Sequence, residues 1–395
     1  GSSSGQGTVY MYDSGGTLTI SGGTYGGASD NTIQIDKTNG GSLALAISGA
    51  TIFAGDDATP GFGNDALQIS VSGGAINGTI TNNTFAGALA NHIQISASQS
   101  ANLDLDIGGT GVGNTFQRHG SNPTNGGGGV NAAFTGSGTV ALDILDNDMS
   151  AIYSAGSGVS PIEIQTGSLF SGTLTSQVRN NTIGTSGVTG SGAGGSSGFG
   201  GFAMQFDADG GGTASYVVSN NIIHDYNDSG IKFFQPGGAT QDVTAVITGN
   251  QVNHTSGAGF PVAGIEIDAG SGNTGSMCAN ITGNTVTNSS GFLVGGIYVT
   301  SDSGHTFNLV GTPVGSSTGP AIASVLNGTN TLSPPAVGGN NGTYNFSIET
   351  RAADVQTVVG LEEEAAATTF NVYPNPVEDV AWVNLSLAGN EEVRL

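Results

Sequence analysis

The sequence predicts an all-β fold, a single-stranded parallel β-helix with three strands per coil and about nine or ten coils, covering residues 1–349. Three observations predict it. An Asn-x-apolar motif recurs along the chain, strands of two further kinds fall between its copies in fixed order, and glycine punctuates the apolar runs without a collagen-like triplet period. With 36% hydrophobic residues in ordered Ile, Leu, Val and Phe patterns, the chain is no solvated linker despite its 70 glycines.

The motif reads Asn83-Thr84-Phe85, Asn114-Thr115-Phe116, Asn147-Asp148-Met149, Asn181-Thr182-Ile183, Asn221-Ile222-Ile223, Asn250-Gln251-Val252 and Asn284-Thr285-Val286. Successive asparagines are 31, 33, 34, 40, 29 and 34 residues apart, a spread that loop insertions on a solenoid tolerate and fixed-length helical repeats do not. A first class of strand alternates apolar and polar residues in Ile33-Gln34-Ile35, Leu67-Gln68-Ile69, Ile93-Gln94-Ile95, Ile162-Glu163-Ile164, Met204-Gln205-Phe206, Ile231-Lys232-Phe233, Ile265-Glu266-Ile267 and Ile297-Tyr298-Val299. A second class includes Leu43/Leu45/Ile47, Leu103/Leu105/Ile107, Val140/Leu142/Ile144 and Val243/Ala245/Ile247. Period two marks half-buried strands, and three classes per repeat define a triangular coil.

No coil buries its own apolar side chains. Stacking parallel coils about 4.8 Å apart closes a continuous core in a rod roughly 45 Å long. Asparagine suits the repeated corner because it tolerates left-handed backbone conformations and its amide can hydrogen-bond along a stack of its own kind. A sandwich of antiparallel hairpins is the alternative fold, disfavoured because three strand classes recur rather than turn-linked pairs. Two insertions interrupt the rod, at residues 120–129 and 185–201; the second, nearly all Gly, Ser, Thr and Ala, reads as a mobile loop.

Six basic residues against 29 acidic ones give a formal net charge of −23, which repels phosphate backbones and excludes nucleic acid as a partner. Such a surface calls for no cofactor, calcium being the one ion it would attract. Cys278 is the only cysteine, so neither an intrachain disulfide nor a CxxC knuckle can form. No apolar run reaches the roughly 18 residues of a membrane span. The chain opens on Gly1 without a signal peptide, and Val9 to Tyr12 is already strand-like, so it is expected to be a piece of a longer protein.

The repeated Asn corners and the three-strand period resemble the right-handed parallel β-helix superfamily, which includes pectate lyases, other polysaccharide-degrading enzymes and many surface adhesins. The resemblance covers roughly residues 8–349 and implies the fold, not an activity. Beyond it, residues 350–369 form an acidic, alanine-rich linker with Glu362-Glu363-Glu364. Then Phe370-Asn371-Val372-Tyr373-Pro374-Asn375-Pro376 leads into the alternating Ala381-Trp382-Val383-Asn384-Leu385-Ser386-Leu387. This segment resembles the opening of a type A C-terminal sorting domain of the type IX secretion system of Bacteroidota. That resemblance implies a truncated β-sandwich over 370–395, with Tyr373, Pro374, Asn375 and Pro376 as sorting motif. It also implies the secretion translocon and its shuttle protein as partners, and a secreted or outer-surface location.

The polar positions of the first strand class form a row of Gln34, Gln68, Gln94, Glu163, Gln205, Lys232, Glu266 and Tyr298. Glu163, Gln205, Lys232, Glu266, Asp207 and Asp268 make the best candidate groove, since two carboxylates flanking a glycosidic bond serve as acid and base. A lyase also wants positive charge for the uronate, and only Lys37, Lys232, Arg118, Arg179, Arg351 and Arg394 carry it. His224-Asp225-Tyr226 with nearby Lys232 is the densest polar cluster. Weak catalytic candidates are therefore Glu163, Glu266, His224 and Lys232, with Gln205, Asp207, Asp268 and Tyr298 as binding residues. His92, His119, His254 and His305 share no metal-ligand spacing. With no catalytic constellation in view, the leading expectation is a non-catalytic surface β-helix, an adhesin, matrix or filament component that contacts glycans or itself end to end. A glycan hydrolase or lyase is the alternative. Ice or mineral binding would need a Thr-x-Thr register that the chain lacks.

Overall fold

The computed structural model describes residues 8–26, 28, 30–54, 64–88, 90–117, 128–152, 160–193, 201–255, 261–270, 273–288, 294–301, 306–310, 319–338, 343–345, 369–373 and 382–385. Strand classes one, two and three become three sheets of 11, 13 and 10 strands, the second including the two C-terminal strands Thr369–Tyr373 and Trp382–Leu385, and along the rod every third strand of the chain is the hydrogen-bonded neighbour of the last. All pairings between coils are parallel, which overturns the hairpin-sandwich alternative. The architecture is a three-sheet parallel β-helix, in which short corners replace the helical crossover that parallel strands usually require.

Period-two alternation puts one side of each strand inward. On the first sheet Ile33, Leu67, Ile93, Val130, Ile162, Met204, Ile231, Ile265 and Ile297 follow one another in register and are completely buried. Leu105 and Leu142 do the same on the second sheet, where Gly78 stands between Leu105 and Leu45, as do Phe85 and Phe116 on the third, their rings stacked at 5.1 Å. Volume is balanced between coils. Tyr216 is flanked in register by Ser176 and Ala245 and packs edge-on against Phe206 and Phe233, which stack on each other at 4.4 Å. At the other end of the rod the inward first-sheet position is Lys37, buried and paired with Asp13 at 3.0 Å.

The corner asparagines form one buried ladder. Each Oδ1 accepts from the backbone N–H and the side-chain amide of the asparagine one coil earlier, as in Asn147 onto Asn181 at 3.0 Å for both bonds. Each Nδ2 also donates to the last carbonyl region of a second-sheet strand, Asn181 to Ile144 O at 2.9 Å. The same pattern runs from Asn83 to Asn284, begins where Ala50 N–H donates to Asn83, and ends at Asn330. The left-handed turn falls on the residue before the ladder asparagine: Asn82, Asp146, Asn180, Asn220, Gly249 and Gly283 all have positive φ. Turning the chain one residue early leaves the ladder side chain pointing inward, where its amide meets the next coil.

Two features depart from the sequence expectation. The helix Gly319–Thr329, inserted between second- and third-sheet strands of the last complete described coil, buries Ile322 and Leu326 in the core cluster. An i, i+4 apolar pair on one helical face is enough to plug the end of a solenoid. Residues 185–193, expected to be mobile, are pinned: Asp225 accepts from Gly187 N–H at 2.5 Å and from Thr255 N–H at 2.7 Å, while Thr185 and Ser191 bond each other. Residues 120–127 and 194–200 of the insertions lie outside the described residues. Beyond the rod, Thr369–Tyr373 pairs in parallel with Gly16–Ser21 at the opposite edge of the second sheet and antiparallel with Trp382–Leu385. Among the described residues no helix is long and apolar enough to cross a membrane.

Truncating one ladder rung, Asn181, takes a bond from four buried groups at once, the Asn147 N–H and amide, the Ile144 carbonyl and the Asn221 Oδ1. Asn181→Ala is expected to lower unfolding free energy by roughly 3 kcal/mol or more. Denaturant melts of the variant beside an exposed control such as Asn102→Ala check this, and equal losses for the two would refute a stabilising ladder.

Candidate functional site on the outer face of the first sheet

Parallel in-register pairing converts the polar position of each first-class strand into a single row. It runs Tyr10, Gln34, Gln68, Gln94, Asn131, Glu163, Gln205, Lys232, Glu266, Tyr298 and Val337. Two residues along each strand lies a second row, in which Gln165, Asp207, Phe234, Asp268 and Thr300 are successive neighbours. The structure thus brings together Glu163, Gln205, Lys232, Glu266, Tyr298, Asp207 and Asp268.

Their polar atoms are largely engaged with one another. Gln94 donates to Asn131 at 3.1 Å, and Asn131 to Glu163 at 2.7 Å, while Gln165 donates to the other Glu163 oxygen. Gln205 donates to Asp207 at 2.7 Å and accepts from Ser160 at 3.3 Å. Lys232 pairs with Glu266 at 3.3 Å, and Glu266 also accepts from Ser229 at 2.5 Å. The Lys232 ammonium lies 4.6 Å from the ring centroid of Phe202 and 5.5 Å from that of Phe234, a cation–π position on two sides. Towards the first coils the row is steadied by a short corner ladder, Asn31 to Asp65 to Asn91, whose asparagine amides donate to Gln68 at 2.5 Å and Gln94 at 2.7 Å.

Burial sets the electrostatics. It pushes the Asp207 carboxyl up to about 6; the Glu163 charge adds to the rise, and Gln205 and Lys232 oppose it. Burial also raises Glu163 against the amide bonds from Gln165 and Asn131. Asp207 Oδ1 is buried and accepts no hydrogen bond from the described residues.

His224 does not join this face. It ends the third-sheet strand Ile222–His224, one prism side away from Lys232. Asp225 faces the 185–191 turn, and Tyr226 packs its buried ring edge-on against His254 at 5.6 Å. Asp225 and Tyr226 therefore meet around His254, on which the Asp225 charge also acts, and neither they nor His224 join Lys232. His92 is buried between the carbonyls of Gly128 and Gln117 at 2.8 and 3.1 Å, and burial lowers its pKa. Among the described residues no cluster of His, Cys, Asp or Glu is placed to hold a metal ion. His119, His305, Arg118, Arg351 and Arg394, with Pro374, Asn375 and Pro376, lie outside the described residues. Sequence reasoning missed Asn131, whose strand lacks the Ile-Gln-Ile form, and Phe202, which precedes its strand; only the register of stacked coils reveals either.

No family model matches the sequence, and no curated protein or solved structure matches it.

A second acidic group lies on the outer face of the second sheet, where Asp106 and Asp143 are register neighbours. Burial pushes Asp143 up to about 6, the Asp106 charge adds to the rise, and Gln177 and Arg179 oppose it. Asp65 is likewise raised to about 6 by burial, with Asp30 adding. A carboxyl with a folded pKa above its unfolded value stabilises the native state fully below the unfolded pKa, and that stability is lost as pH rises through the folded pKa. Melting temperature is therefore expected to fall between about pH 4 and pH 7. Asp143→Asn, in which Gln177 can turn its amide to keep the bond, should recover roughly 1–2 kcal/mol at about pH 7.5 and nothing at about pH 4. Thermal scans at the two pH values decide it, and a loss of stability at both would refute the assignment.

Proposed function

We propose that the chain is a secreted or surface-attached, non-catalytic right-handed β-helix, an adhesin or matrix component exported by type IX secretion, which contacts neutral glycans through the outer face of its first sheet. The observation that carries this reading is the interlocked polar row. Amides and carboxylates that hold each other in fixed geometry, next to Phe202, Phe234 and Tyr298, form a preorganised surface for hydroxyl groups and sugar faces. A net charge of −23 favours uncharged over anionic glycans. The right hand follows from the sterics of parallel crossovers. Export by type IX secretion rests on the Tyr373-Pro374-Asn375-Pro376 motif, and the antiparallel pair Thr369–Tyr373 and Trp382–Leu385 is what the first hairpin of a sorting sandwich requires.

A specific observation favours a second reading. Glu163 and Asp207 are diagonal neighbours in the stacked rows, both carboxyls are raised, and one Asp207 oxygen is unengaged, as a glycosidase acid would need.

A polysaccharide-binding and depolymerisation screen, with and without calcium, separates the two. Binding to neutral glycans without product is expected, weakened about five- to tenfold by Phe234→Ala or Tyr298→Ala. Product that disappears in Glu163→Gln or Asp207→Asn would make the chain a hydrolase. Neither binding nor turnover would end the glycan reading altogether.

A further inference from the structure

An asparagine followed by glycine cyclises on itself readily, because the glycine nitrogen is unhindered and its backbone reaches conformations closed to other residues. Three such pairs lie among the described residues, Asn39–Gly40, Asn77–Gly78 and Asn327–Gly328. Their surroundings differ. Gly78 stands mid-strand, in register with Leu45 on one side and Leu105 on the other, and a Cβ there would collide with the Leu45 carbonyl oxygen. Asn327 and Gly328 belong to the helix Gly319–Thr329, where Asn327 Oδ1 also accepts from Ala336 N–H at 2.9 Å. In both places regular backbone hydrogen bonding keeps the glycine nitrogen from the asparagine side chain.

Asn39 and Gly40 sit in no such ladder. They occupy the corner between the first-sheet strand Ile33–Lys37 and the second-sheet strand Ser42–Ser48, and both are exposed. Among the described residues the Gly40 N–H meets no acceptor. The node of this corner is the Asp13 carboxylate. It accepts from the Asn39 side-chain amide, from the N–H groups of Asn39 and Thr38 at 2.8 and 3.2 Å, and from Lys37 Nζ at 3.0 Å. Burial would raise the Asp13 carboxyl, and the bonds from Asn39, Lys37 and Thr38 hold it well below the usual carboxylate range. The buried Lys37 also donates to Gly40 O at 3.1 Å, so its ammonium is anchored by the same few residues that carry the reactive pair. Cyclisation asks only that the Asn39 amide leave Asp13, a single exposed side-chain bond, and turn to its own chain.

We propose that Asn39–Gly40 is a self-modifying site, at which Asn39 converts through a succinimide to isoaspartate and aspartate and so loosens the Lys37 anchor as the protein ages. The Gly40 nitrogen gives its proton to water and bonds to Asn39 Cγ; the Cγ–Nδ2 bond breaks, and ammonia leaves with a proton taken from water. Water then opens the ring at either carbonyl, so the net change is amide plus water to carboxylic acid plus ammonia. The product places a carboxylate where an amide donated to Asp13. One bond is lost and two like charges adjoin, with Lys37 left to neutralise both. The corner lies off the outer polar row of the first sheet, so this chemistry and the glycan reading can fail independently.

The full chain is aged at physiological temperature and mildly alkaline pH, then peptide-mapped for amide-to-acid conversion and isoaspartate, and melted in parallel. Conversion at Asn39 is expected to outrun that at Asn77 and Asn327 by about tenfold or more, and Gly40→Ala to slow it about tenfold, since a Cβ there meets nothing within 4 Å and the fold is left alone. Aged wild type should melt about 2–4 °C below equally aged Gly40→Ala, and fresh Asn39→Asp as far below fresh wild type. An Asn39 that stays intact, converts no faster than Asn77 and Asn327, or converts at the wild-type rate in Gly40→Ala overturns the site. Conversion with no fall in melting temperature overturns the loosened anchor. Should Gly40→Ala not fold, Asn39→Gln, whose longer side chain closes a larger and slower ring, serves as the unreactive control.

Discussion

Everything in this molecule depends on the register between coils. A coil of three short strands has no interior of its own, and its apolar side chains become a core only when the next coil places like positions above them. A slip of one residue would turn each buried Ile or Leu outward and each outward Gln or Glu inward. The buried asparagine ladder guards against that slip at the corner. It ties a side-chain amide, a backbone N–H and a second-sheet carbonyl of different coils into one set of bonds, which a shifted coil cannot make. Variation in spacing from 29 to 40 residues is tolerated because the ladder fixes the corners and leaves the loops to absorb the difference.

The same register creates the outer face. Side chains from coils distant in sequence become neighbours, and a polar residue in a stack is surrounded by other polar residues at strand spacing. Amides and carboxylates then satisfy each other, as in the run Gln94, Asn131, Glu163 and Gln165. Where like charges adjoin instead, as at Asp106 and Asp143, burial and repulsion drive the carboxyl towards its protonated form. The acidic composition is thus distributed between engaged carboxylates and a few strained ones.

Most of the fold was legible because periodicity and its physical cause coincide. The Asn corners, the Ile-x-Ile strands and the Leu/Val strands each became one sheet or corner. Legibility ended where a residue's role depends on neighbours from other coils. Asn131 completes the polar row, yet it sits in Val-Asn-Ala, which does not advertise its class. His224, Asp225 and Tyr226 are consecutive, but the partner that Asp225 and Tyr226 share is His254 of the next coil and not Lys232, which the sequence order does not reveal. The pinning of residues 185–193 depends on Asp225 and Thr255, which no composition count connects. The helix Gly319–Thr329 carries only the single buried pair Ile322 and Leu326, too weak a pattern to stand out from a glycine- and serine-rich surround.

A face built from mutual bonds has a chemical consequence. Catalysis needs groups that bind the transition state better than the ground state, and a proton held where it can move. Glu163, with both oxygens accepting amide bonds, and Lys232, between two rings and facing Glu266, are instead held still. Rigidity of that sort fits the proposed recognition of glycans, because the ordering cost is met on folding rather than on binding. Asp207 is the exception on this face, with an unengaged oxygen and a carboxyl raised to about 6. It stands diagonal to Glu163, so any turnover on the rod would pass through that pair, and a face without turnover leaves Asp207 as a proton-holding group inside a binding surface.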